Sequence, residues 1–246
     1  MKVSIIGSGN VAWHFASRLS AKDADIEIIH RSPLSNMFNG INCSTSLELD
    51  SKTNLVILAV SDRAVKEVAT AYEFPSKSIV VHSSGSVGID VFDDNGISSY
   101  GVIYPLQSLT AGIEVKEMPI FVEGNSEGTQ KTLLNVSKLI SSNVQVVNSS
   151  DRRRIHTAAV FSSNFVNHLL SVSDEILRDV PLTILRPLIL NTIDKALDIG
   201  PKKAQTGPAL RRDSETISAH QAILETEMHK ELYSMISKHI QNTFHA

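Results

Sequence analysis

Cysteine is almost missing from these 246 residues: Cys43 stands alone. One thiol excludes an internal disulfide and a cysteine-built zinc site, and it suits a reducing compartment. A surplus of positive charge is also lacking. Lys and Arg total 23 against 26 Asp and Glu, a net charge of −3, so nothing draws the chain to nucleic acid in general. Long apolar runs are missing too. The first, residues 3–6, is too short for a signal-peptide core and ends at Gly7-Ser8-Gly9. The richest later stretch, residues 180–193, contains Arg186 and two prolines, well short of the roughly 20 residues of a membrane span. The expectation is a cytoplasmic protein without nucleic-acid or membrane partners. Nine histidines are present, but no His-Glu-x-x-His motif or tight cluster occurs, so no metal is expected.

What is present is a change of rhythm near residue 149. Before it, short β-rich runs recur at 3–6, 26–29, 55–60, 79–81, 99–103, 120–122 and 144–147, with helical patterns at 11–20, 62–72 and 127–141. Strands alternating with helices predict an α/β fold with a doubly wound, mostly parallel sheet of Rossmann type. The central runs are apolar without alternation, as strands covered on both faces should be. After Ser150 the strand signal stops. Helical spacing runs over 152–178, a second helix is predicted up to Leu197, and a long final helix over 214–242 has Asp213 or Ser214 as its cap. The domains are therefore expected at 1–148, binding a dinucleotide, and 149–246, all-helical and serving substrate and dimerisation.

The strongest motif is Gly7-Ser8-Gly9-Asn10-Val11-Ala12, between the first strand and the first helix. Gly7 permits a tight turn, Gly9 admits a pyrophosphate to the backbone, and Ala12 lets the helix lie close to the sheet. Free N–H groups at the helix start then face the phosphates. At the end of the second strand, where an acidic residue would bind the ribose of NAD, stand His30-Arg31-Ser32. Arg31 can stack on adenine and pair with a 2′-phosphate, and Ser32 can donate to the same group, so NADP is favoured and NAD is less likely. Val60-Ser61-Asp62 and His82-Ser83-Ser84-Gly85 stand at the ends of two further strands and should line the same crevice; Asp62 is also a good helix N-cap. A further candidate is Tyr104-Pro105-Leu106-Gln107-Ser108, where a strand meets a proline.

Together with residues 156–165 (His156 to Phe165) and Thr206-Gly207-Pro208-Ala209, followed by Arg211, Asp213, Thr216 and His220, these motifs carry a resemblance over essentially the whole chain. The sequence resembles Rossmann-like oxidoreductases with a helical C-terminal domain of unknown function, the domain-of-unknown-function 2520 type. These lie within the pyrroline-5-carboxylate reductase and 6-phosphogluconate dehydrogenase-like superfamily. The resemblance implies NAD(P) in a cleft between the domains and a homodimer built through the helical domain. It does not imply a substrate. Within the superfamily, β-hydroxyacid dehydrogenases place a catalytic lysine one turn before an asparagine. Asn164 resembles that asparagine, but Val160 holds the place of the lysine.

His156, Val160 and Asn164 recur at four-residue spacing along a predicted helix. Histidine carries protons near neutral pH, and asparagine can orient a carbonyl or an amide. Asp213, Thr216 and His220 share one face at the start of the final helix; capping accounts for Asp213 and leaves His220 over. Arg152-Arg153-Arg154 reads as a solvated helix start, with attraction of an anionic substrate by a basic run at the domain junction as the alternative. The leading reading is an NADP-dependent oxidoreductase moving a hydride to or from a small C=O or C=N compound. His156 or His220 would donate the proton, and Asn164 and Thr206 would position the substrate. The alternatives are an NADP(H)-binding sensor or scaffold without turnover and, more weakly, an NADPH-deazaflavin oxidoreductase. Apolar residues run nearly all round 182–193 and along the final helix at Ile217, Leu224, Met228, Leu232, Met235 and Ile236, which favours a dimer through the helical part.

Overall fold

The computed structural model describes residues 1–31, 38, 40–93 and 95–245. The chain divides into two compact units, Met1–Ser163 and Asn164–Ala246, one helix beyond the change of rhythm at 149.

Eight strands build the first unit's sheet: β1 (Lys2–Ile6), β2 (Asp25–Ile29), β3 (Asn42–Ser44), β4 (Leu55–Leu58), β5 (Ile79–His82), β6 (Tyr100–Pro105), β7 (Ile120–Gly124) and β8 (Val144–Val146). Their order is β3-β2-β1-β4-β5-β6-β7-β8. The strands from β3 to β6 are parallel, in the doubly wound order 3-2-1-4-5-6. β7 then runs antiparallel to β6, and β8 parallel to β7. The expected Rossmann-type sheet is therefore present, with one antiparallel pairing.

The unbroken apolar runs feed two cores. Ile5, Ile28, Ile57 and Val81 point to one face, where they meet Phe15 and Leu19 of α1 (Asn10–Ser20) and Leu133 of α3 (Glu127–Lys138). Ile6, Ile29, Leu58 and Val80 point to the other, against Val65 and Val68 of α2 (Asp62–Ala71) and Phe92 of a 3₁₀ turn, Ile89–Phe92. Period-two alternation divides the central strands between two apolar layers, which is why β4 shows no polar face.

α4 (Ser149–Ala159) closes the first unit, capped by the Asn148 side chain, which accepts from the Asp151 N–H at 2.9 Å. Arg152, expected in solvent, is completely buried. Its guanidinium pairs with the Glu123 carboxylate of β7 and donates to Val87 O at 2.5 Å and Ser149 Oγ at 3.2 Å. Ser149 bonds the same carboxylate through both N (2.9 Å) and Oγ (2.7 Å), and its Oγ accepts from the Ile89 N–H at 3.0 Å. A partner on β7 turned one arginine of the run inward; Arg153 and Arg154 remain exposed. A π-helical turn, Val160–Asn164, follows at the division between units.

The second unit is all helical: α5 (Phe165–Leu177), a 3₁₀ turn (Leu182–Leu185), α6 (Arg186–Ile199), α7 (Pro201–Ala204), α8 (Pro208–Arg211), α9 (Ser214–Ile223) and α10 (Glu227–His245). The long final helix expected over 214–242 is two helices. Asp213 caps α9, accepting from the Thr216 N–H at 3.0 Å, and Thr226 opens α10, accepting from the His229 N–H at 3.1 Å. Among the described residues, no helix is long and apolar enough to cross a membrane.

Candidate functional site

The carboxyl ends of the parallel strands carry the candidate site, beginning where the strand order reverses between β1 and β4. Gly7 leaves β1 at φ +121°, and a Cβ there would lie 2.2 Å from the carbonyl oxygen of Ala59, just after β4. No other residue fits this turn. Gly9, two residues on, faces open space, and α1 starts directly behind it without an acidic residue in its first turn. The backbone N–H groups there are thus accessible and unopposed by a carboxylate, as an anion would require.

A cavity of about 540 Å³ opens at this turn. It gathers Gly7, Ser8, Gly9, His30, Arg31, Val60 and Ser61 from the residues expected on sequence grounds. Ser32 lies outside the described residues. Asn10 and Val11 open α1 beside the cavity, and the Asn10 side chain accepts from the Ala111 N–H at 3.1 Å. Asp62, Ser83 and Ser84 are not part of its wall. The Asp62 carboxylate accepts from the Ser86 hydroxyl. Ser83 Oγ donates to Leu58 O at 3.3 Å, and Ser84 Oγ accepts from the N–H groups of Ser86 and Val87.

One wall of this cavity is built by residues outside the motifs that mark the strand ends. Ala64, Glu67, Val68 and Ala71 present one face of α2 at i, i+3, i+4 and i+7, and Tyr72 follows. That spacing was the available signal. Glu67 Oε1 lies 3.5 Å from Arg31 Nη1, both side chains well exposed, so the arginine at the end of β2 is loosely held over the rim. Burial pushes the Tyr72 hydroxyl above its ordinary range, and the Arg31 charge pulls the other way.

Further along the same edge, past β5, residues 83–88 form a tight loop around His82. This ring is wholly buried. Its Nδ1 accepts from the Ser84 N–H at 3.2 Å, so Nε2 carries the proton and meets Gly88 O at 3.3 Å. Burial, assisted by the Arg152 charge, lowers its pKa to about 4. Gly85, inside the loop, is packed against His156 of α4: a Cβ would fall 2.5 Å from its Nδ1 and 2.8 Å from Tyr104 Cζ. Tyr104 Oη and His156 Nδ1 are 2.9 Å apart, with the rings edge to face at 5.7 Å. Arg152, one helical turn before His156, anchors α4 to both the loop and β7. Tyr104, a candidate from the segment 104–108, is thereby the partner of His156, a pairing that its sequence position alone does not give.

The other candidates belong to the second unit. Asn164 and Thr206 are exposed. His220 is exposed as well, with Nδ1 2.9 Å from the Tyr233 hydroxyl of α10. Thr216 bonds its own cap, Oγ1 donating to Asp213 Oδ2 at 2.8 Å. Among the described residues, no three His, Cys, Asp or Glu side chains converge as metal ligands would.

The fold is shared with solved structures. A candidate NADP oxidoreductase from Bacteroides fragilis is 29% identical with a TM-score of 0.89, covering 98% of each chain. A reductive aminase from Aspergillus terreus, solved with NADPH and ethyl-5-oxohexanoate, is 14% identical with a TM-score of 0.73, covering 98% of this chain and 94% of that one. The 1-pyrroline-5-carboxylate reductase of Streptococcus pyogenes is 14% identical with a TM-score of 0.63, covering 98% of both. At such identities the last two speak for the fold alone. No curated protein matches the chain. The family model described as a domain of unknown function, DUF2520, matches residues 118–240, half of the chain and most of its helical part. By that match the chain belongs to the DUF2520 family.

Proposed function

We propose that the chain is an oxidoreductase that binds NADP in preference to NAD and moves a hydride to or from a small C=O or C=N compound. The observation that carries this reading is the cavity at the glycine turn, with open backbone at Gly9 and Arg31 at its rim. The dinucleotide supplies the hydride; the protein supplies binding, orientation and a dry wall. The N–H groups opening α1 take the pyrophosphate, Gly7 keeps the turn out of its way, and Arg31 takes the 2′-phosphate. The exposed pair with Glu67 is weak enough for a phosphate to displace. The B. fragilis relative, described as a candidate NADP oxidoreductase, supports the same cofactor.

Arg31→Ala tests this directly. NADPH should bind more weakly by roughly 1–3 kcal/mol, about 5- to 150-fold, while NADH changes little. Fluorescence titration of both cofactors decides it. Equal losses would make Arg31 a support of the fold and remove the basis for NADP preference.

The working form is proposed to be a homodimer through the second unit. Its apolar side chains lie open in the single chain: Ile184, Leu188, Leu190, Ile193 and Leu197 over one 14-residue stretch, with Leu197 80% exposed. Among the described residues of this unit only Ala209, Leu224 and Ser237 are buried. An exposed apolar surface of this kind marks an interaction site. A clean monomer at micromolar concentration contradicts the proposal.

A further inference from the structure

We propose that Tyr104 and Gly85 are positioning residues that hold His156 as the Nε2–H tautomer, so that it presents one hydrogen-bond donor to the substrate's C=O or C=N heteroatom. The proposal rests on the dinucleotide reading for the substrate's place, but not for the state of the ring.

The tautomer follows from counting protons. The Tyr104 hydroxyl has one proton and, among the described residues, one hydrogen-bond partner, His156 Nδ1 at 2.9 Å. If the O–H donates to Nδ1, that nitrogen is the acceptor and the ring proton sits on Nε2. The opposite assignment, with Nδ1–H donating to the phenol oxygen, would leave the phenol proton unsatisfied on a residue only 8% exposed. Burial also raises the Tyr104 pKa, with Asp62 adding to the rise, so the phenol keeps its proton at neutral pH.

Gly85 fixes the ring in space. The position has no positive φ to explain a glycine; what requires it is the ring, 2.5 Å from where a Cβ would be. Tyr104 meets the same ring edge-on, so imidazole is clamped between a strand side chain and a loop backbone. His82, on the same loop, makes an instructive contrast. Both its nitrogens are engaged within the loop, Nδ1 by Ser84 and Nε2 by Gly88, and it is a fixture of the fold. His156 is half-buried, and its Nε2 has no protein partner among the described residues.

Its place suits the task. Tyr104 lies near the carboxyl end of β6, three strand spacings from β1, about 14 Å across the edge. Arg31, at the end of β2, lies on the other side of the glycine turn. A dinucleotide whose pyrophosphate sits at that turn extends to both sides, its two mononucleotide halves following the two halves of the sheet. With the 2′-phosphate at Arg31, the redox ring falls on the β5–β6 side, and so does Nε2–H.

The experiment is ¹⁵N NMR of the histidine rings in the full chain without cofactor, His156 being assigned by the loss of its signals in His156→Gln. In the neutral ring, wild type should show a pyridine-like Nδ1 and a pyrrole-like Nε2. In Tyr104→Phe the two nitrogens should move toward each other as the tautomers mix, and in Gly85→Ala the ring should lose its fixed environment. A wild-type Nδ1–H tautomer overturns the proposal even if neither variant folds, and so does an unchanged ring in a folded Tyr104→Phe. NADPH is then titrated into wild type. Movement of the His156 signals supports the placement; tight binding with no movement overturns the placement and spares the dinucleotide reading. No binding overturns that reading, and the placement with it, while the tautomer result stands.

Discussion

The two units handle apolar side chains in opposite ways. In the first, both faces of the sheet are covered, and residues such as Ile5, Ile57, Leu58 and Val80 have no measurable exposure. In the second, a helix as apolar as Arg186–Ile199 has no buried residue. One chain is enough for a core when helices lie on both faces of a sheet. A handful of helices spread over about 80 residues has too few layers for that, and leaves its apolar side chains open, which is the ground for the proposed dimer.

The sharpest way to break this contrast is at Arg152, the charged group sealed inside the first unit. Arg152→Met leaves the Glu123 carboxylate mostly buried and unpaired, and should cost about 3–5 kcal/mol in denaturant unfolding. Trp13, the single tryptophan, sits in α1 and reports on this unit by fluorescence. Adding Glu123→Gln should recover part of the loss. A cost below about 1 kcal/mol would mean that the pair behaves as a surface pair and that this interior is wetter than it looks.

Acid probes the same unit more gently. His82 is neutral when folded, its pKa lowered to about 4 chiefly by burial, against an ordinary value of 6.5. Below 6.5 the unfolded chain binds a proton that the folded chain refuses. The stability is thus whole above about pH 6.5 and falls away toward pH 4, by about 3 kcal/mol in total. His82→Gln should flatten that slope; an unchanged slope would place the acid sensitivity elsewhere.

In the second unit the expected effect is smaller per residue but separates two outcomes cleanly. Leu197→Ser should cost about 1.5–3 kcal/mol per chain if a second copy covers that side chain. If Leu197 is truly solvated, the change stays within about 0.5 kcal/mol. Light scattering on wild type should return twice the chain mass and a lower mass for the variant. A null effect on both sets the dimer aside.

How much of this was legible in advance depended on how far apart the interacting residues lie. The central runs, such as those of β1, β4 and β5, read as strands because burial on two faces leaves an almost unbroken apolar signal. β3, three residues at the sheet edge, Asn42–Ser44, has no such signature. The glycine turn was legible because its chemistry is local to six residues. The break between α9 and α10 was not, since Leu224 and Met228 keep helical spacing straight across it while Thr226 starts a new helix. Arg152 looked solvated because its partner Glu123 is 29 residues earlier, and Tyr104 is 52 residues before His156. Pairings at that range are set by sheet order and register, which no local window contains.

Gly85 gives one of those long-range facts a local trace. Even a methyl group there would collide with the imidazole, so the size of a single residue in the loop after β5 records whether a histidine can occupy that spot on α4. Among proteins of this fold, a larger residue at the corresponding place would identify, from sequence alone, a chain in which no imidazole can stand at this spot on α4. The smallest residue in the loop thus works as a written label for the ring packed beside it.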